Sequence, residues 1–180
     1  QSIAVCDLYR RRKKDAQGFL GLKDEAAFED YHKLLELKDI DAVWVTTSDN
    51  WHAPIAVAAM EAGKHVYIEK PMCKTLQEAF DLHDTAKKTK RIVQVGSQGC
   101  SAGAWHKAAE MIQGGKIGTL VWSQGYYCRN NPTGEWNYAI ETEAKPENID
   151  WETWLGAVKK RVPFNADHFH RWRKYFPYCA

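Results

Sequence analysis

Apolar and polar positions come in alternating blocks along the N-terminal half of the chain, and the block lengths predict the elements. SIAVCD is a short β-rich run that ends in an acid at Asp7. A basic amphipathic stretch follows, and EDYHKLLEL, Glu29 to Leu37, then places Tyr31, Leu34 and Leu35 on one helical face. AVWVTT, Ala42 to Thr47, is the near-continuous apolar run of a strand covered on both faces. From His52 to Ala62 the chain is rich in Ala, Val and Met and closes at Gly63, which predicts a helix with a glycine cap. HVYIE is the next strand, LQEAFDLHDTAKKT the next helix, and IVQVG, Ile92 to Gly96, the strand after it.

Strand and helix alternating at this spacing predict βαβ units and a parallel sheet with helices on both faces. Ligands of such sheets bind beyond the carboxyl ends of the strands. Every polar cluster of this half falls at such an end: Asp7, Thr46 to His52, Glu69-Lys70-Pro71, and Gly96 to Gln98. After Gly96 the rhythm changes. Ala102 to Ile112 reads as a helix closing at Gly114-Gly115, and KIGTLVWSQGYYC as one long strand. A dinucleotide-type domain over 1–118 and the start of a second domain over 119–180 are expected. The second part is aromatic-rich, with a helical turn at DWETWLG that Asp150 caps.

Composition narrows the function. With 25 basic and 23 acidic residues and a formal charge of +2, neither a nucleic-acid nor a membrane-surface partner is suggested. No apolar run approaches the roughly 20 residues of a spanning helix. QSIAVCDLYRRR lacks the layout of a signal peptide, so a cytoplasmic protein is expected, with an upstream export signal left open. The five cysteines are dispersed and include no C-x-x-C pair, which predicts reduced thiols. Cys73 and Cys100 lie near strand ends, but a small buried side chain is the simpler reading of each.

A strand-end acid before a helix suggests the ribose-binding position of a dinucleotide fold, whose G-x-G-x-x-G turn lies about 20 residues upstream of the acid. Asp7 leaves no room for it. GFLGLK, Gly18 to Lys23, lies downstream of the acid, follows no strand and reads as a loop.

AVCD, then DAVWVTTSDNWHAPIAVAAMEAGKHVYIEKPM, then VQVGSQ resemble the glucose-fructose oxidoreductase and inositol dehydrogenase (Gfo/Idh/MocA) family. The resemblance covers about the first 120 residues and rests on E-K-P at a strand end with T-x-x-x-x-H before it. It implies an NAD(P)-binding Rossmann domain, here incomplete at its N-terminus. An α+β domain with an open, mostly antiparallel sheet would follow, supplying the substrate site and a homo-oligomer contact. The first strand with its glycine turn, and an Asp and His beyond FPYCA, are not found in the chain. It is therefore expected to be part of a longer protein.

By this resemblance Lys70 is the catalytic residue, beside the nicotinamide and the reacting carbinol. An ammonium there hydrogen-bonds the reacting oxygen and, with its pKa lowered by burial, exchanges a proton with it. Glu69 orients it. Asp7 accepts the adenosine ribose hydroxyls, which favours NAD; Arg10 and Arg11 could instead clasp the 2′-phosphate of NADP. Thr46, Thr47 and His52 resemble the loop past the pyrophosphate and nicotinamide ribose, and Gln98 lies near the nicotinamide or substrate. FHRWRKYF resembles members that act on sugars, so Trp172, Arg173 and Tyr175, with Trp136, are candidate substrate contacts: flat aromatic faces and a forked donor suit a polyhydroxylated ring. His168 and His170 lack a third nearby ligand, and no metal is expected. The reading is an NAD(P)-dependent oxidoreductase of a sugar, polyol or derivative. Its alternatives are an NAD-dependent glycosidase or epimerase with a transient redox step, and a binding protein on a degenerate Rossmann fold.

Overall fold

In the computed structural model, which describes residues 1–180, the strands form two parallel sheets. Strand β1 (Val5–Cys6) pairs with β2 (Ala27–Phe28), an element too short for the apolar pattern to show. Helix α1 (Arg10–Leu20) connects them. It takes in Gly18 to Leu20, so GFLGLK is not wholly a loop: Gly21, at φ 65, ends the helix with its N–H on the Gln17 and Gly18 carbonyls. Helix α2 (Tyr31–Leu35) leads to the second sheet, in which β3 (Ala42–Val45), β4 (His65–Ile68) and β5 (Val93–Val95) stand in that order. Helices α3 (Asp49–Glu61) and α4 (Leu76–Thr89) make the crossovers and pack against each other.

The core lies between these helices and one face of the second sheet. Val45, Val66 and Ile68 point into it and meet Ile55, Ala56, Ala59, Met60 and Leu82. The opposite face is open, contrary to the expectation of helices on both faces. Side chains alternate along a strand, so Trp44, Tyr67 and Gln94, which the register aligns, point away from the core. Trp44 is 69% exposed, with its ring 5.1 Å from that of Tyr67. No element packs over them.

Helix α4 starts in a capping box. The Glu78 N–H donates to Thr75 Oγ1 at 3.2 Å, and the Thr75 N–H to Glu78 Oε2 at 2.9 Å. Thr75→Ala is expected to lower unfolding free energy by about 1 kcal/mol, read from the denaturant midpoint; an unchanged midpoint would show that the cap contributes nothing.

Beyond β5, helix α5 (Gly103–Gln113) has no buried residue. The long strand expected over KIGTLVWSQGYYC does not form, and neither does an antiparallel sheet: both sheets are parallel, and the antiparallel pairing is an isolated bridge between Tyr9 and Ile149. A strand without a neighbour has no partner for its N–H and C=O groups. Val121, Trp122, Tyr126 and Tyr127 are accordingly exposed.

The last part of the chain builds a second core on the first. Helices α6 (Trp151–Leu155) and α7 (Ala166–His170) bring Trp151, Trp154, Leu155, Phe169 and Tyr178 around Tyr9, which is fully buried. Asp150 caps α6, accepting from the Thr153 N–H at 3.0 Å. The Arg10 N–H donates to the Asn148 carbonyl, and Trp51 Nε1 to the Trp154 carbonyl. No helix is long and apolar enough to cross a membrane.

Candidate functional site

The register of the second sheet assembles the site. Val45 aligns with Ile68 and Ile68 with Val95, so Thr46, Glu69 and Gly96 emerge side by side at the carboxyl edge. The ladder continues one step past the strands: Glu69 N–H donates to the Val45 carbonyl at 2.9 Å and Gly96 N–H to that of Ile68 at 2.8 Å. Thr46, Thr47, Lys70 and Gln98 are exposed along this edge. A Cβ on Gly96 would lie 2.7 Å from the Tyr67 hydroxyl and 3.0 Å from Glu69 Oε1, so glycine lets Glu69 lie flat there.

Lys70 is solvent-exposed, so the burial expected to tune it is not supplied by these residues. Its ammonium makes no ion pair. Glu69 is not its salt-bridge partner; Oε2 accepts instead from the Lys70 backbone N–H at 3.2 Å. His52 is 2% exposed, and both its ring nitrogens face backbone carbonyls: Nδ1 lies 2.7 Å from the Pro71 oxygen and Nε2 2.9 Å from that of Thr47. No free ring edge is left for a dinucleotide.

Asp7 follows β1 directly, its N–H donating to the Phe28 carbonyl. Oδ1 accepts from the Tyr9 N–H at 2.8 Å, and Oδ2 has no partner. Burial raises its pKa, against the opposing effects of the Tyr9 N–H, Arg12 and Lys13. Arg11 is engaged elsewhere: its guanidinium lies 3.4 Å from Glu141 and 3.7 Å from Asp15, while Arg10 pairs with Glu29. Cys6, beside Asp7, is pushed up to about 12, mainly by burial, and Cys73 is also raised by burial, which suits neither thiol to nucleophilic work.

The end of the chain is docked on this edge. Asn50 N–H donates to the Tyr178 carbonyl, Ala180 N–H to Asp49 Oδ2, and Lys74 Nζ to the Phe176 carbonyl. Trp172 and Arg173 are thus a few residues from a contact with the loop that carries Lys70. The Arg173 guanidinium stacks 4.1 Å over Trp172 and 5.3 Å from the Trp136 ring centre. Tyr175 faces inward: its hydroxyl donates to Asp167, which Arg171 also holds, and its ring stacks on His168. His168 Nδ1 lies 2.9 Å from the Tyr178 hydroxyl. The docking itself had no periodic signal in the sequence, although SDNWH supplies all of its polar partners on α3.

The residues present fit part of a dinucleotide. Asp7 offers a free carboxylate oxygen to a ribose diol, and the buried polar atoms Ser48 Oγ and Asn50 Oδ1 and Nδ2, at the end of β3, have no protein partner. No glycine-rich turn among these residues forms a pyrophosphate cradle. Two parallel sheets, one ending in a ribose-type acid at Asp7 and the other in polar loops and an unpaired lysine, define a dinucleotide-binding α/β protein.

Residues 1–97 match the family described as "Oxidoreductase family, NAD-binding Rossmann fold", and the chain belongs to this Gfo/Idh/MocA family. It is 37% identical, over 139 residues, to a protein of Bacteroides fragilis named glycosyl hydrolase family 109 protein 1, covering 72% of this chain and 30% of that protein. It is 30% identical, over 154 residues, to an inositol 2-dehydrogenase/D-chiro-inositol 3-dehydrogenase of Lactiplantibacillus plantarum, covering 84% of this chain and 44% of that one. Among solved structures it resembles a probable dehydrogenase from Thermotoga maritima, with a TM-score of 0.58 and 30% identity over 66% of this chain and 35% of that chain. A 3-ketoreductase from Actinomadura kijaniata, in complex with TDP-benzene and NADP, gives a TM-score of 0.58 and 28% identity, covering 66% and 36% of the two chains. The chain thus spans less than half the length of these relatives.

Proposed function

We propose that the complete protein is an NAD(P)-dependent oxidoreductase that moves hydride between nicotinamide and a hydroxyl-bearing carbon of a sugar, polyol or derivative. The observation that carries this reading is the unpaired ammonium of Lys70 at the edge where the register also delivers Thr46, Thr47 and Gln98. The bound dinucleotide supplies a hydride acceptor and donor. Lys70 handles the accompanying proton: as ammonium it donates to the carbonyl oxygen during reduction, and as amine it takes the hydroxyl proton during oxidation. Asp7 holds the adenosine ribose through Oδ2. Arg11 is paired with Glu141 and Asp15, and this favours NAD over NADP. The test is nicotinamide reduction by the complete protein across a panel of inositols and hexoses; none with any member, alongside no dinucleotide binding, would leave only a binding role.

Trp172 and Arg173 would hold the substrate from above the edge. The guanidinium stacks through its face and makes no hydrogen bond through its edge, so its in-plane donors are free for ring hydroxyls. Arg173→Ala is expected to raise KM for the sugar roughly fivefold, about 1 kcal/mol, with kcat unchanged. A changed kcat with constant KM would move Arg173 out of that role.

A second reading has its own support, since the Bacteroides fragilis relative is named as a glycosyl hydrolase. A glycosidase with a transient redox step would release a glycoside with no net reduced nicotinamide; an oxidoreductase accumulates it.

A further inference from the structure

The first turn of α3 is committed to contacts outside the helix. Asp49 Oδ2 accepts from Ala180, Asn50 N–H donates to Tyr178, Trp51 Nε1 donates to Trp154, and His52 lies between Thr47 and Pro71. His52 differs from the others in what it joins. Its two carbonyl partners belong to neighbouring strand ends, Thr47 in the loop after β3 and Pro71 immediately after Lys70. Both partners are acceptors. A neutral imidazole donates to one of them and only a protonated ring to both; the ring nitrogens lie within 3 Å of the backbone of two separate loops.

The Lys70 loop has little else to hold it. Past Glu69 the sheet ladder ends, and Lys70, Pro71, Met72 and Cys73 take part in no backbone–backbone hydrogen bond. The loop's other ties are the Lys70 N–H on Glu69, within the loop itself, the Lys74 N–H on Glu78 at 2.6 Å, and Lys74 Nζ on the Phe176 carbonyl. Pro71 is bonded directly to Lys70, so holding its carbonyl helps to fix where the Lys70 side chain starts.

We propose that His52 is a positioning residue for Lys70: a two-ended strut between the β3 and β4 loops that touches neither dinucleotide nor substrate. The assignment rests on the oxidoreductase reading for what Lys70 does, but the strut is read from the geometry alone. Misplacing a reacting group by about 1 Å costs up to about 100-fold in rate. Releasing one end of a two-ended hold should cost less.

The test uses the complete protein with its lysines reductively ¹³C-methylated, the Lys70 signal assigned by its loss in Lys70→Arg. In His52→Gln, whose single amide nitrogen cannot span both carbonyls, and in His52→Phe, which fills the space without a donor, the Lys70 signal is expected to shift and narrow while the other lysines stay in place. Where turnover is measurable, kcat should fall about tenfold with KM for the dinucleotide unchanged. A Lys70 signal identical to wild type in both variants overturns the proposal. If neither variant folds, ¹⁵N spectra of wild-type His52 decide it: a ring proton slow to exchange with water supports the strut, and a ring averaging between tautomers overturns it. If no polyol is oxidised and the Lys70 signal still responds, the oxidoreductase reading falls and the strut stands.

Discussion

Lys70→Ala in the complete protein is expected to lower kcat by about 10²- to 10⁴-fold, the range for loss of a general acid or base. Dinucleotide affinity should change little, because the ammonium has no protein partner and the ribose and loop contacts lie on other residues. Lys70→Arg should not restore turnover. A guanidinium keeps its proton near neutral pH, and its planar fork does not match a point donor. Steady-state kinetics with titrated dinucleotide check this. If Lys70→Ala loses dinucleotide affinity as strongly as turnover, the residue belongs to the cofactor cradle.

Asp7→Asn is expected to separate binding from stability. The carboxylate accepts a charged hydrogen bond from the ribose, and its loss should weaken NAD by about 1.5–3 kcal/mol, roughly 10- to 150-fold in Kd. The unliganded protein should move the other way. Burial raises the pKa of Asp7 in the folded chain, so the folded state holds this proton more tightly than the unfolded state does. Stability is therefore lost as pH rises from the usual carboxylate range through the raised value, and it stays lost at neutral pH. An asparagine never ionises and keeps an acceptor for the Tyr9 N–H. Thermal unfolding at pH 7 should show the variant above wild type without NAD and below it at saturating NAD. A variant that melts lower in both conditions would place Asp7 in the structural framework instead.

Much of the site was legible because parallel sheets gather strand ends. Apolar runs located β3, β4 and β5 to within a residue or two, and the polar residues after each run then had to share one edge. The Asp150 cap and the helix over residues 103–113 were legible for local reasons, a capping acid and glycine terminators. Other features depend on contacts that no local pattern carries. Strand β2 is two residues long and exists through pairing with β1. Trp44 reads as core by hydropathy and lies on an open face. The run from Lys116 to Cys128 has the composition of a strand without a neighbour to pair with. Tyr9 sits in a basic segment yet anchors the second core, because α6 and α7 come to it from far along the chain. SDNWH was legible as a polar cluster at a strand end; the two carbonyl partners of His52 were not, since backbone acceptors leave no mark in a sequence.

Single-turnover reduction of bound NAD, followed by nicotinamide absorbance with enzyme in excess, tests whether Lys70 handles the proton of a hydride transfer. Wild-type and Lys70→Arg complete protein would be mixed with each member of a panel of inositols, hexoses and N-acetylhexosamine glycosides. At least one compound is expected to reduce the nicotinamide in wild type, and the same compound to do so at least about 100-fold more slowly in Lys70→Arg. Equal rates in the two proteins, or no reduction by wild type with any compound, would contradict it.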